Sequence, residues 1–183
     1  MAGDPGVECD KLFRVFARWV DDALVGRTLG LPEEAAITCA QLRCLDFLAR
    51  HDLCSVGDIS EGLAISDPAA TKLIDRLQRK GLVGRRGNRD DRRIVHVRLS
   101  DSGAGLVGRL GRKRTSFMDA AVEGLATRRL QMLLRLMESV LMSALDCPEV
   151  IARVCLRCGN DHSSDCVVNR AHVVATGVSI FGR

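Results

Sequence analysis

The chain has no tyrosine, one tryptophan and five phenylalanines in 183 residues. With aromatics at 3%, its core must be built from Leu, Val, Ala, Ile and Met. That set suits helix packed on helix better than a sheet sandwich. Nor is there any apolar run near the roughly 18 residues of a membrane span. The opening MAGDPGVECD is acidic and has no apolar segment of the signal-peptide kind. Both absences point to a cytoplasmic protein with no membrane partner. Eight cysteines in that compartment are expected to be thiols, metal ligands or redox sensors rather than structural disulfides. Paired carboxylates and a nucleophile–base arrangement are also missing. GLVGRLG and GDISEG are glycines within helical stretches, without the preceding strand that a phosphate loop requires. An enzyme is therefore not expected.

The apolar share of 46% and the charged share of 27% are ordinary for a globular chain. Its length allows one compact domain or two small ones. The net charge of +4 is mild, but it is unevenly placed. Between Lys72 and Arg98 stand ten Lys or Arg against three Asp, a local balance of +7 that leaves −3 for the rest. A basic stretch on an otherwise slightly acidic molecule points to a polyanion at one surface. A solvated charged face is the simpler explanation for an isolated charge run.

Hydrophobic spacing organises the chain into helices. In DKLFRVFARWVDDALVGRTLG, residues Leu12, Phe13, Phe16, Trp19, Val20, Ala23 and Leu24 fall at helical intervals, with Gly30 and Pro32 closing the segment. Thr38 and Gln41 form a capping box before Leu42, Leu45, Phe47 and Leu48. Ser55 and Asp58 are a weaker, Asp-based version of that cap, opening a helix of about eight residues. A turn near Ile65 and Ser66 follows. The next helix has Asp67 and Pro68 in its first turn, a buried stripe of Ala70, Leu73, Ile74 and Leu77, and Gly81 as its C-terminal cap. Two short helices joined by a tight turn make a helix-turn-helix pattern.

LVGRR and IVHVRLS then read as two short strands, and GNRDD between them has hairpin-turn composition. A basic hairpin directly after a helix-turn-helix is a wing. Ser100 and Gly103 begin a new helix. Two long helical stretches follow, the second with Leu130, Leu133, Leu134, Met137, Val140, Leu141 and Leu145 on one broad apolar face.

The run ISEGLAISDPAATKLIDRLQRKGLVGRRGNRDDRRIVHVRLSDSG resembles the winged-helix core of the MarR family of bacterial transcriptional regulators. Its most specific part is Asp91-x-Arg93-x-x-x-Val97-x-Leu99-Ser100-x-x-Gly103, the family's wing-to-helix pattern. The resemblance covers about residues 10 to 146. It implies a mainly α (α+β) fold: a winged helix-turn-helix with long N- and C-terminal helices forming a dimerisation region. The implied segments are an N-terminal dimerisation helix (1–36), the DNA-binding domain (37–100), C-terminal dimerisation helices (101–146) and a cysteine-rich tail (147–183).

The resemblance further implies a homodimer on double-stranded DNA, each recognition helix in a major groove. Half-sites would lie about one helical turn, or roughly 10 base pairs, apart. Ser66, Thr71, Lys72 and Arg76 would face the bases. Arg85, Arg86, Arg89 and Arg92 would serve the wing, with Arg93 held by Asp91 and Arg89 best placed for the minor groove. Arginine suits bidentate contacts to guanine edges and phosphates. The sequence departs from the family at Pro68 and Ala69, where many members carry polar residues. A repressor is the expected sense of regulation. Small-molecule effectors, often aromatic acids in this family, are implied as a further partner.

The tail CPEVIARVCLRCGNDHSSDCVVNRAHVVATGVSIFGR is not the family's usual ending. Cys155-x2-Cys158-Gly159 has chelate spacing, and Cys166 follows. Cys147, His162 and His172 compete as fourth ligand, with Cys9 a remoter candidate. An iron–sulfur cluster, zinc, and no metal with free or redox-active thiols remain three open readings. Through such a tail the protein would sense redox state or metal. Cys39, Cys44 and Cys54 read instead as small buried apolar residues. His51 and His96 read as structural or exposed. The alternative function is a metal- or iron–sulfur-dependent redox protein whose winged helix binds another protein.

Overall fold

A computed structural model describes residues 4–24, 37–51, 53–87, 95–160 and 163–180. Its elements run α1 (Pro5–Leu24), α2 (Cys39–Arg50), α3 (Val56–Leu63), α4 (Asp67–Arg79), β1 (Val83–Gly87), β2 (Val95–Leu99), α5 (Asp101–Val122), α6 (Thr127–Ala144), α7 (Pro148–Arg157) and α8 (Val167–Thr176). The expected ending of the first helix at Gly30 and Pro32 lies outside the described residues.

Helix starts follow the capping chemistry in the sequence. The Gln41 amide donates to Thr38 Oγ1 at 3.3 Å, and the Thr38 amide donates to Gln41 Oε1 at 3.2 Å. The Asp-based cap expected at Ser55 forms with both of its halves. The Asp58 amide donates to Ser55 Oγ (3.1 Å) and the Ser55 amide donates to Asp58 Oδ2 (2.8 Å). A carboxylate in that first turn also faces the positive end of the helix dipole. At the start of α5 the Gly103 amide donates to Ser100 Oγ at 3.0 Å.

One core unites α2, α3, α4, the hairpin and the start of α5. Leu45, Ile59, Ile74, Leu77, Val97 and Cys44 are fully buried in it. Each large aliphatic side chain there contributes about 1.5–3 kcal/mol of burial. Backbone hydrogen bonds tie the hairpin to this body. The Cys54 amide donates to Val97 O (3.2 Å) and the Val97 amide to Cys54 O (2.7 Å), so the residue before α3 pairs with β2. The two strands are antiparallel, with Arg85 opposite Val97 and Arg86 opposite His96. The Ser100 amide reaches Leu82 O at 3.0 Å, and Ser100 Oγ donates to Gly81 O at 2.6 Å.

The long helices are otherwise arranged. Trp19 of α1 packs on Phe117 of α5, with ring centroids 5.1 Å apart, and Arg43 of α2 pairs with Asp21 at 2.8 Å. Helix α6 buries none of its residues, and Leu133, Leu134, Leu136, Val140 and Leu141 lie exposed along it. The tail forms α7 and α8, which spacing of cysteines alone did not reveal. Pro148 and Glu149 suit the first turn of α7. Ile151, Val168, Ala171 and Leu145 make a second, smaller core. Buried Asn169 organises the tail: its Nδ2 donates to Ser164 O (2.9 Å), and its Oδ1 accepts from Ser179 Oγ (3.0 Å) and the Ile180 amide (2.9 Å). Glu138 and Arg170 pair across α6 and α8. Arg157 donates to Glu61 O at 3.2 Å, tying α7 to α3.

Two glycines test this packing. A Cβ at Gly103 would stand 2.1 Å from Leu82 O, a backbone atom, whereas one at Gly111 would meet nothing within 4 Å. Gly103→Ala should therefore lower unfolding free energy by about 2 kcal/mol or more. Gly111→Ala, in the interior of the same helix, should be neutral or raise it by up to about 1 kcal/mol. Urea denaturation followed by circular dichroism measures both.

Candidate nucleic-acid interface

Helix α4 owes its orientation to its buried stripe. Ala70, Leu73, Ile74 and Leu77 point into the core, so the opposite face must be outward. Ser66, Thr71, Lys72 and Arg76 are all exposed on it, as the helical spacing required. Thr71 Oγ1 is turned back on its own helix, donating to Asp67 O at 2.9 Å. Ser66 is the N-cap but makes no side-chain cap hydrogen bond. Ser60 of α3 supplies a different tie there, its hydroxyl donating to Asp67 Oδ1.

The turn between α3 and α4 rests on Ala64 in the left-handed region, with φ 54° and ψ 46°. Its amide donates toward Glu61 O and Ser60 O. A Cβ in that conformation costs about 1–2 kcal/mol.

The hairpin stands beside α4 and is coupled to it. Arg85 Nη2 meets Asp75 Oδ1 at 2.6 Å, joining β1 to the middle of α4. Sequence spacing offered Arg85 only as a DNA contact; its geometry gives it a positioning role, which depends on a register that only the fold supplies. Arg86 is exposed on the same strand. Arg79, which the sequence reading did not single out, is exposed at the end of α4, its Nε donating to Asp75 O at 3.4 Å. The remaining wing residues named from sequence, Arg89, Asp91, Arg92 and Arg93, lie outside the described residues.

The tail cysteines are near one another but are not assembled as ligands. Cys155 is within α7, and Cys158 is the helix's C-cap, followed by Gly159 at φ 76°. Cys158 Sγ accepts from the Asn160 amide at 3.5 Å, and Cys166 Sγ, the N-cap of α8, accepts from the Asn169 amide at 3.2 Å. Burial pushes the Cys155 thiol up, and the neighbouring Cys158 and Cys166 add to this. Among the described residues no three His, Cys, Asp or Glu are grouped to hold a metal ion. Cys147 caps the opposite end of the ten-residue α7, about 15 Å along the axis from Cys158. The length of α7 thus lies between Cys147 and the Cys158 end of the tail. His172 Nδ1 lies 2.8 Å from Val178 O, and His162 lies outside the described residues.

Two helices meeting at a tight turn, a second helix with one buried and one basic face, and a hairpin docked beside it define a winged helix-turn-helix protein. Residues 37–94 match the model of the MarR family. That match falls on the winged-helix part of the chain. The HTH-type transcriptional repressor MdtR of Bacillus subtilis (strain 168) is 37% identical over 71 residues, covering 39% of this chain and 46% of MdtR. The chain spans about half the length of the first curated relatives it matches. A MarR family protein from Bacillus stearothermophilus shares the fold with a TM-score of 0.66 at 24% identity, over 79% of this chain and 98% of that one. FabT of Streptococcus pneumoniae, solved in complex with DNA, shares it with a TM-score of 0.64 at 17% identity, over 78% and 99%. No helix among the described residues is long and apolar enough to cross a membrane.

Two outcomes follow for stability and reactivity. Ala64→Gly should raise unfolding free energy by about 0.5–1 kcal/mol in a chemical melt, the relief of the left-handed alanine less glycine's entropy. Burial, assisted by neighbouring Cys54, pushes the Cys44 thiol up from 9.0 to about 12. The stability tied to keeping it protonated is whole below pH 9.0 and is lost as pH rises through about 12. Iodoacetamide at pH 8 should therefore leave Cys44 unmodified in the native protein and label it in denaturant, read by peptide mass spectrometry.

Proposed function

We propose that this chain is a sequence-specific DNA-binding transcriptional regulator that works as a homodimer. The observation that carries this is the two-sidedness of α4. Its apolar stripe is locked in the core while Lys72 and Arg76 stand exposed beside the basic hairpin. A helix so held presents its outer face to a major groove, and the hairpin lies where the flanking backbone runs. Ser66, Thr71, Lys72 and Arg76 are the proposed base-facing set and Arg86, Arg89, Arg92 and Arg93 the proposed wing set; Asp75 pairs with Arg85, and the family resemblance implies that Asp91 would hold Arg93. FabT, a structural neighbour, was solved on DNA, and MdtR is named a repressor. Repression is accordingly the sense we propose. The role is binding, not catalysis.

The dimer reading rests on exposed apolar surface. Phe13 and Phe16 of α1 are 48% and 40% exposed, and Leu134 and Leu136 of α6 are 57% and 60% exposed. A second copy covering these two helices would remove that area from water.

A second reading concerns the tail. Cys155, Cys158 and Cys166 lie where α7 ends and α8 begins, in a segment whose described residues share a four-residue buried core. We propose that this cluster is a sensor of metal or redox state, as an iron–sulfur site, a zinc site or free thiols. A visible spectrum and metal analysis of anaerobically purified protein distinguish the three: charge-transfer bands for iron–sulfur, zinc without colour, or neither.

Fluorescence anisotropy on duplexes from the protein's own promoter region tests the main proposal. Affinity should fall steeply between 50 and 200 mM salt. Lys72→Ala with Arg76→Ala should weaken the best site by about tenfold or more. Arg89→Ala with Arg93→Ala should weaken binding to all duplexes and flatten the salt slope by about 1–2. Unchanged affinity and slope in both pairs would refute it.

A further inference from the structure

We propose that Arg157 is a positioning residue: reaching from the tail, it closes the C-terminal end of α3 and so fixes the turn on which α4 is set. It does this through one charged hydrogen bond, Arg157 Nη2 donating to Glu61 O at 3.2 Å across 96 positions of sequence.

The end of α3 lacks a cation of its own. The helix has eight residues, Val56–Leu63, too few for stability alone. Its last carbonyls carry the negative end of the helix dipole, which favours a basic residue in the last turn. Helix α2 ends on Arg50, and α4 has Arg76 and Arg79 in its last turn. Helix α3 has no basic residue there. The charged side chain it does have, Glu61, is of the wrong sign. Arg157 brings the missing cation from another element.

The carbonyl that Arg157 meets is already part of the turn. The Ala64 amide donates to Glu61 O at 3.1 Å, and the Ile65 amide donates to Ser60 O at 3.0 Å. This pair of bonds closes many helices, and its left-handed position is usually glycine. Here that position is Ala64, at φ 54°. A side chain held in that region persists only where its surroundings enforce it. Glu61 O accepts from both Ala64 and Arg157, so the second donor holds the acceptor of the first. Helix α4 begins at Asp67, directly after this turn.

The guanidinium is exposed, but the helix behind it is anchored. Leu156 packs against the main core, and Ile151 is fully buried in the tail's own. Both lie beyond the residues 37–94 that match the family model, so the brace is an addition of the tail. Leu156 and Arg157 are also the two residues enclosed by Cys155 and Cys158. The contact with α3 thus stands one residue from each of those thiols.

Amide hydrogen exchange by NMR on the full chain without DNA tests the brace. In Arg157→Met, exchange at Ala64 and Ile65 should quicken by about threefold or more, while Cys54 and Val97 keep their rates. Arg157→Lys, which keeps a cation and a donor, should recover most of the difference. Arg153→Met, one turn earlier on α7, should change nothing. The consequence for DNA rests on the function proposed above. Arg157→Met should weaken duplex binding by about threefold or more and leave the salt slope unchanged, because no phosphate contact is lost. Unchanged exchange at Ala64 and Ile65 in Arg157→Met, or equal quickening in Arg153→Met, would overturn the inference. So would quickened exchange with unchanged DNA affinity, or a slope reduced by about 1, which would make Arg157 a phosphate contact. Unprotected exchange at both amides in the unsubstituted protein overturns it with no variant at all. If the unsubstituted protein binds no duplex, the DNA-binding proposal fails, and the exchange rates alone decide the brace.

Discussion

Two backbone hydrogen bonds, between Cys54 and Val97, hold the winged helix-turn-helix together. They make the residue before α3 a partner of the second wing strand. Without them the hairpin would be a two-stranded ribbon, a structure of marginal stability by itself in water. With them, the hairpin is continuous with the helical body, and Val97 is fully buried beneath it. The close approach of Gly103 to Leu82 O secures the other end of the hairpin. Arg85 and Asp75 then tie the strand to α4. An exposed ion pair is worth at most about 1 kcal/mol; its use here is to fix orientation. The basic surface is therefore carried on a frame whose rigidity comes from burial and backbone pairing, not from charge.

How much of this was legible in the sequence depends on the range of the interaction. Caps and amphipathic stripes are local, so Thr38, Ser55, Ser100 and the Ala70–Leu77 stripe were readable from spacing and appear as expected. The Ser55 cap forms as the Asp-based box its spacing implied, with Asp58 accepting from the Ser55 amide. The Arg85–Asp75 pair and the Cys54–Val97 bridge were not readable, since ten and more residues separate the partners and only the fold sets their register. In the tail, Pro148 and Glu149 are ordinary helix-start signals, whereas Cys166, expected as a metal ligand, is the N-cap of α8. The separation of Cys147 from Cys158 is a consequence of the helix between them.

The tail and the reading head share more than covalent continuity. Leu156 packs against the main core, and Arg157 bonds to α3. Glu138 and Arg170 attach α8 to α6. A change in the tail would thus bear on both the α3–α4 pair proposed to meet DNA and the helices whose exposed apolar surface is proposed to meet a second copy. Such coupling acts only as far as a ligand prefers one arrangement over another.

The central claim is that α4 and the docked hairpin form one rigid surface that meets duplex DNA. Hydrogen–deuterium exchange of the full chain, with and without a bound duplex, tests it most directly. The account predicts new protection concentrated in residues 66–79 and 83–99, with the amides of Cys54 and Val97 already slow in the free protein. Protection confined to the tail, or fast exchange at Cys54 and Val97 before DNA is added, would contradict it.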